Sequence, residues 1–386
     1  MAFMNFEQSA QLMGAISEQA SGQAGASVPA PSSEAEFVSV AKSTLSGGYD
    51  AVIGAISNVL SRTIFSIRPY YRKFAGINTN AIRYGSHVRK LTIVDAPVET
   101  DQRFEDGADM FAVNKPVVVQ VNFHGALTYQ RHITIYKDQL DTAFSSSEEF
   151  GAFIAMIVQN TSDLIEKDHE NCARMTIANF IGGKIAGEAD SVVHLVSEFN
   201  AKTGLQLTAQ TVRKPENFST FMKFVMARIR TISELMTERS TLFHTNPGGN
   251  NISRHTPLEK QKVYLYAPDI HDMETNVLSS VYHDEYLKKV DFETVNYWQS
   301  ISDPMRIEVN ATYMDTASGD LGRLEVSQNN VFGVIFDEEA LGYTVVNAWS
   351  ASSPFNAAGG YTNIYHHFTD RYWNDFTENG VVLLLD

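Results

Sequence analysis

The stretch EEFGAFIAMIVQNTSDLIEKDHENCARMTIANF, Glu148 to Phe180, decides how the rest of the chain is read. Phe150, Phe153, Ile154, Ile157, Val158, Thr161, Leu164, Ile165, Cys172 and Met175 recur at i, i+3 and i+4, the apolar stripe of an α-helix. Asp163, Glu166, Lys167, Asp168 and Glu170 fall on the other side, with His169, and read as a solvated, net negative face. Ser145, Ser146 and Ser147 supply an N-cap, with Ser145–Glu148 and Ser146–Glu149 at capping-box spacing. Gly182-Gly183 is the expected stop. At 1.5 Å per residue the helix is roughly 50 Å long, against a globular mean of about three turns. A rod of that length reaches across a body built from 386 residues, which predicts a flat, elongated shape, with the long core helix of a large enzyme as the plainer alternative.

The segment upstream reads as strands. Val117, Val119, Val121 and Phe123 alternate with Gln120 and Asn122, and LTYQRHITIY (Leu127–Tyr136) alternates similarly. His124–Ala126 sits between them as a turn, so the spacing predicts one long two-stranded arm. Such a hairpin is marginal alone in water, and it is expected to pack on a neighbour or to fold back onto its own core. Further back, residues 61–90 carry Arg62, Arg68, Arg72, Lys73, Arg83, Arg89 and Lys90 without one acidic residue. Pro69 biases Arg68 away from helix, so Arg62–Phe74 reads as extended. Asp50 opens a helix from Ala51 to Leu60, and Ser33 with Glu36 opens another running to Thr44. Residues 1–33, rich in Ala, Ser, Gly and Gln and containing the linker SGQAGASVPAPSS, read as a mobile leading arm.

Downstream the pattern mixes. Phe218, Phe221, Met222, Val225, Ile229, Ile232 and Met236 mark an amphipathic helix with Pro215 near its start. KVYLYAP (Lys262–Pro268) is a strand, residues 271–282 read as helix, and Val331–Leu341 as a buried strand followed by a polar turn. Asn379-Gly380 turns into a last buried strand, Val381–Leu385.

The chain is 44% hydrophobic, 19% charged and carries a net charge of -15. That composition describes a folded, acidic body and argues against sequence-specific DNA binding, which needs basic clusters. No apolar run is long enough for a membrane span, and the opening residues lack the basic region and apolar core expected of a signal peptide. Cys172 is the single cysteine, so no disulfide forms within one chain. It lies on the apolar side of the rod, where a packed thiol is unreactive. The nucleotide-binding, nucleophile-elbow and zinc-protease motifs are absent. His366, His367, Asp370 and Asp375, and separately Asp269, His271 and Asp272, hold ligand-type residues, though neither spacing matches a strong metal template. The basic, aromatic-rich segment 61–90 suits either stacking on nucleic acid or docking on protein carboxylates.

The order of parts, and four stretches of wording, point further. SRTIFSIRPYYRKF (Ser61–Phe74), LTYQRHITIYKDQLDTAFSSSEEFGAFIAMIVQN (Leu127–Asn160), YLKKVDFETVNYWQS (Tyr286–Ser300) and FNAAGGYTNIYHHFTDRYWNDFTENGVVLLL (Phe355–Leu385) resemble the major capsid proteins of tailed bacteriophages. The resemblance implies an α+β chain with the Johnson fold. It would divide into an N-terminal arm (1–87), an E-loop (88–140), a P-domain spine-helix region (141–189), an A-domain (190–335) and a return to the P-domain sheet (336–386). It implies a non-enzymatic shell subunit without cofactor or metal, assembling as pentamers and hexamers around double-stranded DNA. Scaffolding protein and portal are the implied partners, a decoration protein is an optional one, and no membrane is involved. The implied location is the virion capsid, assembled in the host cytoplasm. An encapsulin-type compartment shares the fold, and a metal-dependent hydrolase using His366, His367 and Asp370 is the rival of another class. The expected contacts between copies are Arg62, Arg68 and Arg72 of the basic arm and Tyr129 and Arg131 of the E-loop. On the rod they involve Asp163, Glu166, Asp168 and Glu170.

Overall fold

In the computed structural model, residues 5–21, 30–60, 74, 87–95, 115, 117–124, 126–187, 189–250, 252–275 and 292–386 are described. The chain opens with three helices, α1 (Phe6–Ala20), α2 (Glu34–Ser46) and α3 (Tyr49–Leu60), then three strands, β1 (His87–Ile93), β2 (Val118–His124) and β3 (Leu127–Tyr136). A short helix α4 (Lys137–Ala143) leads into the long α5 (Ser147–Gly187). Next come β4 (Val192–His194), α6 (Leu195–Thr203), α7 (Pro215–Thr237), β5 (Gln261–Tyr266), α8 (Ala267–Met273) and β6 (Glu293–Val295). The chain closes with six strands, β7 (Ile307–Met314), β8 (Leu321–Gln328), β9 (Val331–Asp337), β10 (Leu341–Ser352), β11 (Tyr361–Asn374) and β12 (Gly380–Leu384), as far as they are described.

Helix α5 has 41 residues, about 60 Å at the usual rise. Ser146 Oγ accepts the Glu149 N–H at 3.2 Å, the second of the two expected caps. The Ser147 N–H and hydroxyl both donate to the Glu34 carboxylate at 2.6 Å, tying the helix start to α2. The expected stop at Gly182-Gly183 is overturned: the helix runs through both glycines. A Cβ on Gly182 would lie 2.7 Å from Val309 Cγ2 and 2.9 Å from Ala311 Cβ, and one on Gly183 would strike the Phe376 ring and the Thr312 carbonyl. The glycines are there so that β7 can lie against the helix. The Thr312 N–H confirms the closeness by donating to Asn179 Oδ1 at 3.0 Å.

The rod serves two cores. Its first half sends Phe150, Phe153, Ile154 and Ile157 into a cluster with Leu12, Met13 and Ile16 of α1, Phe37 of α2 and Val52, Ile53 and Ile56 of α3. Residues 6–20 are therefore not a mobile arm. Asn5 caps α1 through a complete capping box with Gln8, and Leu12, Met13 and Ile16 find burial on the chain's own body. The small residues between them diluted the periodicity. The second half sends Ala173, Ile177, Ala178, Phe180 and Ile181 into another cluster. Met175 departs from the expected stripe and is 68% exposed, because the buried face turns as the helix passes from one core to the other.

That second cluster lies on one side of a five-stranded sheet ordered β4-β12-β9-β5-β6. Strand β9 is buried at every residue. Its Val334 and Phe336 face α5, while Phe332 and Ile335 face a third cluster built on α6, α7 and α8. β12 does the same with Val382 and Leu384 on one side and Val381 and Leu383 on the other. Strands buried on both faces read as continuous apolar runs, as expected for both. The α7 stripe from Phe218 to Met236 packs into the third cluster as expected. The helix expected at 271–282 starts earlier, as α8, and residues 276–282 lie outside the described residues.

The expected two-stranded arm is overturned in its pairing. β2 pairs antiparallel with β1, Val118 opposite Ile93 and Gln120 opposite Leu91. β3 instead pairs with β11, Tyr136 opposite Tyr361, as the edge of a three-stranded sheet ordered β10-β11-β3. Alternation assigns each side chain to a face but leaves the partner strand open. β7 and β8 form a hairpin laid along α5.

Candidate assembly surfaces

The β1–β2 arm has two unlike faces. Lys90 and Thr92 face the body, with Val119, Val121 and Phe123 of β2 half-buried on the same side. Leu91, Ile93 and Val118 face away and are 59%, 66% and 52% exposed, with Gln120 and Asn122 beside them. An aliphatic face that open is unusual for a free surface.

The arm's body-facing side is held by charge. The Lys90 ammonium meets Asp375 at 2.7 Å and also Glu378. Arg254 donates to Thr92 Oγ1 at 2.9 Å and to the Thr377 carbonyl at 3.1 Å, and lies 3.3 Å from Glu378. Asp95, just beyond β1, accepts from Arg239 and from the Ser253 N–H at 3.0 Å. Burial pulls the Lys90 ammonium down, but Asp375 and Glu378 more than offset it and its pKa ends above the ordinary value. Burial pushes the Glu378 carboxyl up despite Lys90 and Arg254.

The three-stranded sheet also has two unlike faces. Towards α5 it carries a buried polar cluster. Tyr129 OH donates to Asp370 Oδ2 at 2.6 Å, His169 Nε2 lies 3.3 Å from that oxygen, and Tyr343 OH is 3.1 Å from the same ring nitrogen. Burial above all, then Asp370, pushes the Tyr129 phenol far up, so it stays protonated and donates. The other face is aromatic. Trp349 stacks on His367 with ring centroids 4.0 Å apart, Tyr365 leans on His132 at 5.5 Å, and Tyr136 meets Tyr361 edge-on at 5.9 Å. Thr134, Asn363 and Gln130 fill the gaps, and the charged residue that alternation places on this face, Arg371, is buried.

Arg62, Arg68 and Arg72 lie outside the described residues. Arg131 is engaged within the chain: its Nε and Nη2 grip both Asp168 oxygens at 2.7 and 2.6 Å. Glu170 and His169, read as solvated, are buried instead, Glu170 pairing with Arg174 at 2.7 Å. The sheet packs over that stretch of the rod and turns it inward. Glu166 sits 4.0 Å from His169 Nδ1 and keeps a partly exposed side chain, as does Asp163. His366 and His367 alternate across β11: His366 bonds Ser350 Oγ at 2.7 Å on one face while His367 stacks on the other. Asp370 is spoken for by Tyr129, and Asp375 by Lys90 and Thr377. Asp269 holds Arg213 through two bonds. Among the described residues no three ligand-type side chains converge as a metal would need. The Lys90 cluster went unrecognised in the sequence. Lys90 stood out only as part of a basic run, and its partners lie 285 and 288 positions away.

A sequence model of the family described as Phi29-like phage major capsid protein matches residues 13–384. The chain belongs to this family. It is thus a major capsid protein, a structural unit of a phage head. Its fold is similar to one titled "Capsid structure of Staphylococcus phage Andhra", with a TM-score of 0.54 and 9% identity over 84% of this chain and 87% of that one. It is similar too to a chain from "Structure of head fiber and inner core protein gp22 of native bacteriophage P68", with a TM-score of 0.53, 9% identity and the same two coverages of 84% and 87%. At such identity the likeness speaks for the fold alone, and that fold is the Johnson fold, spine helix included. No curated protein matches the chain. Among the described residues, no helix is long and apolar enough to cross a membrane.

Proposed function

We propose that copies of this capsid protein assemble as pentamers and hexamers into an icosahedral shell around double-stranded DNA, and that the chain has no catalytic step of its own. The observation that carries the reading is the open aliphatic face of the β1–β2 arm, with Leu91 and Ile93 more than half exposed. Burial against a neighbour removes that surface from water. The aromatic face of the three-stranded sheet adds to it. Copies with a net charge of -15 repel, and a face whose charge is buried is where they approach at least cost.

In the terms of the fold, residues 1–87 make the N-terminal arm, 88–140 the E-loop, 141–189 the spine region, 190–335 the A-domain and 336–386 the return. The arm β1–β2 is the part of the E-loop that lies over an adjacent subunit. Arg62, Arg68 and Arg72 of one copy meet Asp163 and Glu166 of another, and Tyr129, Arg131, Asp168 and Glu170, already bound within the chain, border that contact. The packaged DNA is held without sequence preference, because an acidic wall offers few phosphate contacts. Scaffolding protein and portal take part in assembly in the host cytoplasm, and a decoration protein is an optional partner of the finished virion capsid.

Electron microscopy of the chain expressed with its scaffolding protein tests this. Closed shells are expected, and Leu91→Glu with Ile93→Glu should abolish them while leaving a folded subunit. Shells from that variant, or none from the wild type, would refute the reading. Shells that enclose a protein cargo and exclude DNA would favour an encapsulin-type compartment.

A further inference from the structure

We propose that the charged cluster along the body-facing side of the β1–β2 arm is a clasp that fixes the arm's direction, with Lys90 as its central positioning residue for assembly. The inference rests on the capsid reading and deepens it: it says what aims the arm, where that reading says only what the arm covers.

Three separate parts of the body hold one side of β1. The turn between β11 and β12 supplies Asp375 and Glu378 to Lys90. The loop at 253–254 supplies Arg254 to Thr92 and the Ser253 N–H to Asp95. The end of α7 leads to Arg239, which also binds Asp95. Lys90 and Thr92 are two positions apart on a strand, so they share a face, and Asp95 follows just past its end. The turn is itself braced, since the Thr377 N–H and hydroxyl donate to Asp375 Oδ1 at 2.9 and 2.6 Å. The Asp375 and Glu378 side chains are only 1% and 8% exposed, whereas Lys90 is 21% exposed. Two carboxylates that deep need a cation, and Lys90 reaches them from the arm. An apolar contact lies beside it, with Phe123 and Trp373 ring centroids 6.2 Å apart.

A two-stranded sheet has little stability of its own, so its direction is set by whatever grips its body-facing side. Gripped at three points, the arm is a lever with a set angle. That angle decides where Leu91 and Ile93 land on the next copy, hence the angle between copies, hence the size at which a shell closes.

The test uses the full chain. Lys90→Met keeps the aliphatic stem and removes the charge. In unassembled subunits, hydrogen–deuterium exchange at the β1 and β2 amides should quicken tenfold or more, while β9 and β12 keep wild-type protection. Shells made from the variant should be broadly spread in diameter or left open. If Lys90→Met misfolds because carboxylates are stranded, Lys90→Met with Asp375→Asn removes one charge of each sign, leaves Glu378 with Arg254, and should give the same loosened arm. Lys90→Arg should retain most of the protection. Wild-type exchange rates at β1 and β2 in both methionine variants would overturn the clasp. So would faster exchange with shells of unchanged, uniform diameter. A wild type that makes no shells refutes the capsid reading instead, and the exchange measurement on subunits still decides whether the clasp exists.

Discussion

Gly182 and Gly183 show how a single residue type can mislead when it is read by its commonest use. A glycine pair after a long helical pattern signals a stop, and each glycine within a helix costs about 1 kcal/mol relative to alanine. Here the cost is offset by contact: both positions have no room for a Cβ because β7 and Phe376 lie against the helix. Gly183→Ala should therefore destabilise the subunit by about 1–3 kcal/mol through overpacking, although alanine is the better helix former. Urea unfolding of the two proteins measures it, and a variant as stable as the wild type would show that β7 can give way. Lys90 and Asp375 make the opposite point. Both residue types were visible, but a contact across 285 positions leaves no periodic trace.

Elements whose burial is on both sides were the most legible. Val331–Asp337 and Gly380–Leu384 are continuous apolar runs, and they became the centre of the main sheet. The α7 stripe was equally plain. Strands with one covered face were legible as strands but not as pairs. β2 and β3 follow each other closely, yet β11 takes β3 and β1 takes β2, because fourteen residues of β11 offer β3 a longer ladder and a covered face. α1 was missed since its apolar positions are few and its burial comes from α3 and α5. At this scale the Arg131–Asp168 pair can be tested as a brace between β3 and α5. Its two bonds are at the protein surface, with side chains 45% and 18% exposed. A double-mutant cycle on unassembled subunits, with Arg131→Met and Asp168→Asn, should give a coupling of about 0.2–1 kcal/mol. Zero coupling in the subunit together with a defect in shells would assign Arg131 to a contact between copies.

For the whole molecule, composition settled the broad class and the long rod suggested the shape, while identity came from the order of parts. What the charge of -15 does depends on company. Between copies, repulsion acts over a Debye length of about 30 Å at 0.01 M salt and about 8 Å at 0.15 M. If faces with little exposed charge join the copies, adding salt across that range should lower the subunit concentration at which shells appear. Light scattering during assembly follows it. A threshold that rises with salt would mean that ion pairs, such as those proposed for Arg62, Arg68 and Arg72, outweigh the repulsion.

The position of β12 carries a consequence for how such a subunit is made. Residues 380–384 lie between β4 and β9, parallel to one and antiparallel to the other. They contribute side chains to the packing on both faces of that sheet. The arm and the rod both precede this strand in the chain, so the sheet that the two cores share closes only after they have been made. A subunit in which residues 380–384 have not docked leaves both cores open at once, so the two halves of the body become rigid together.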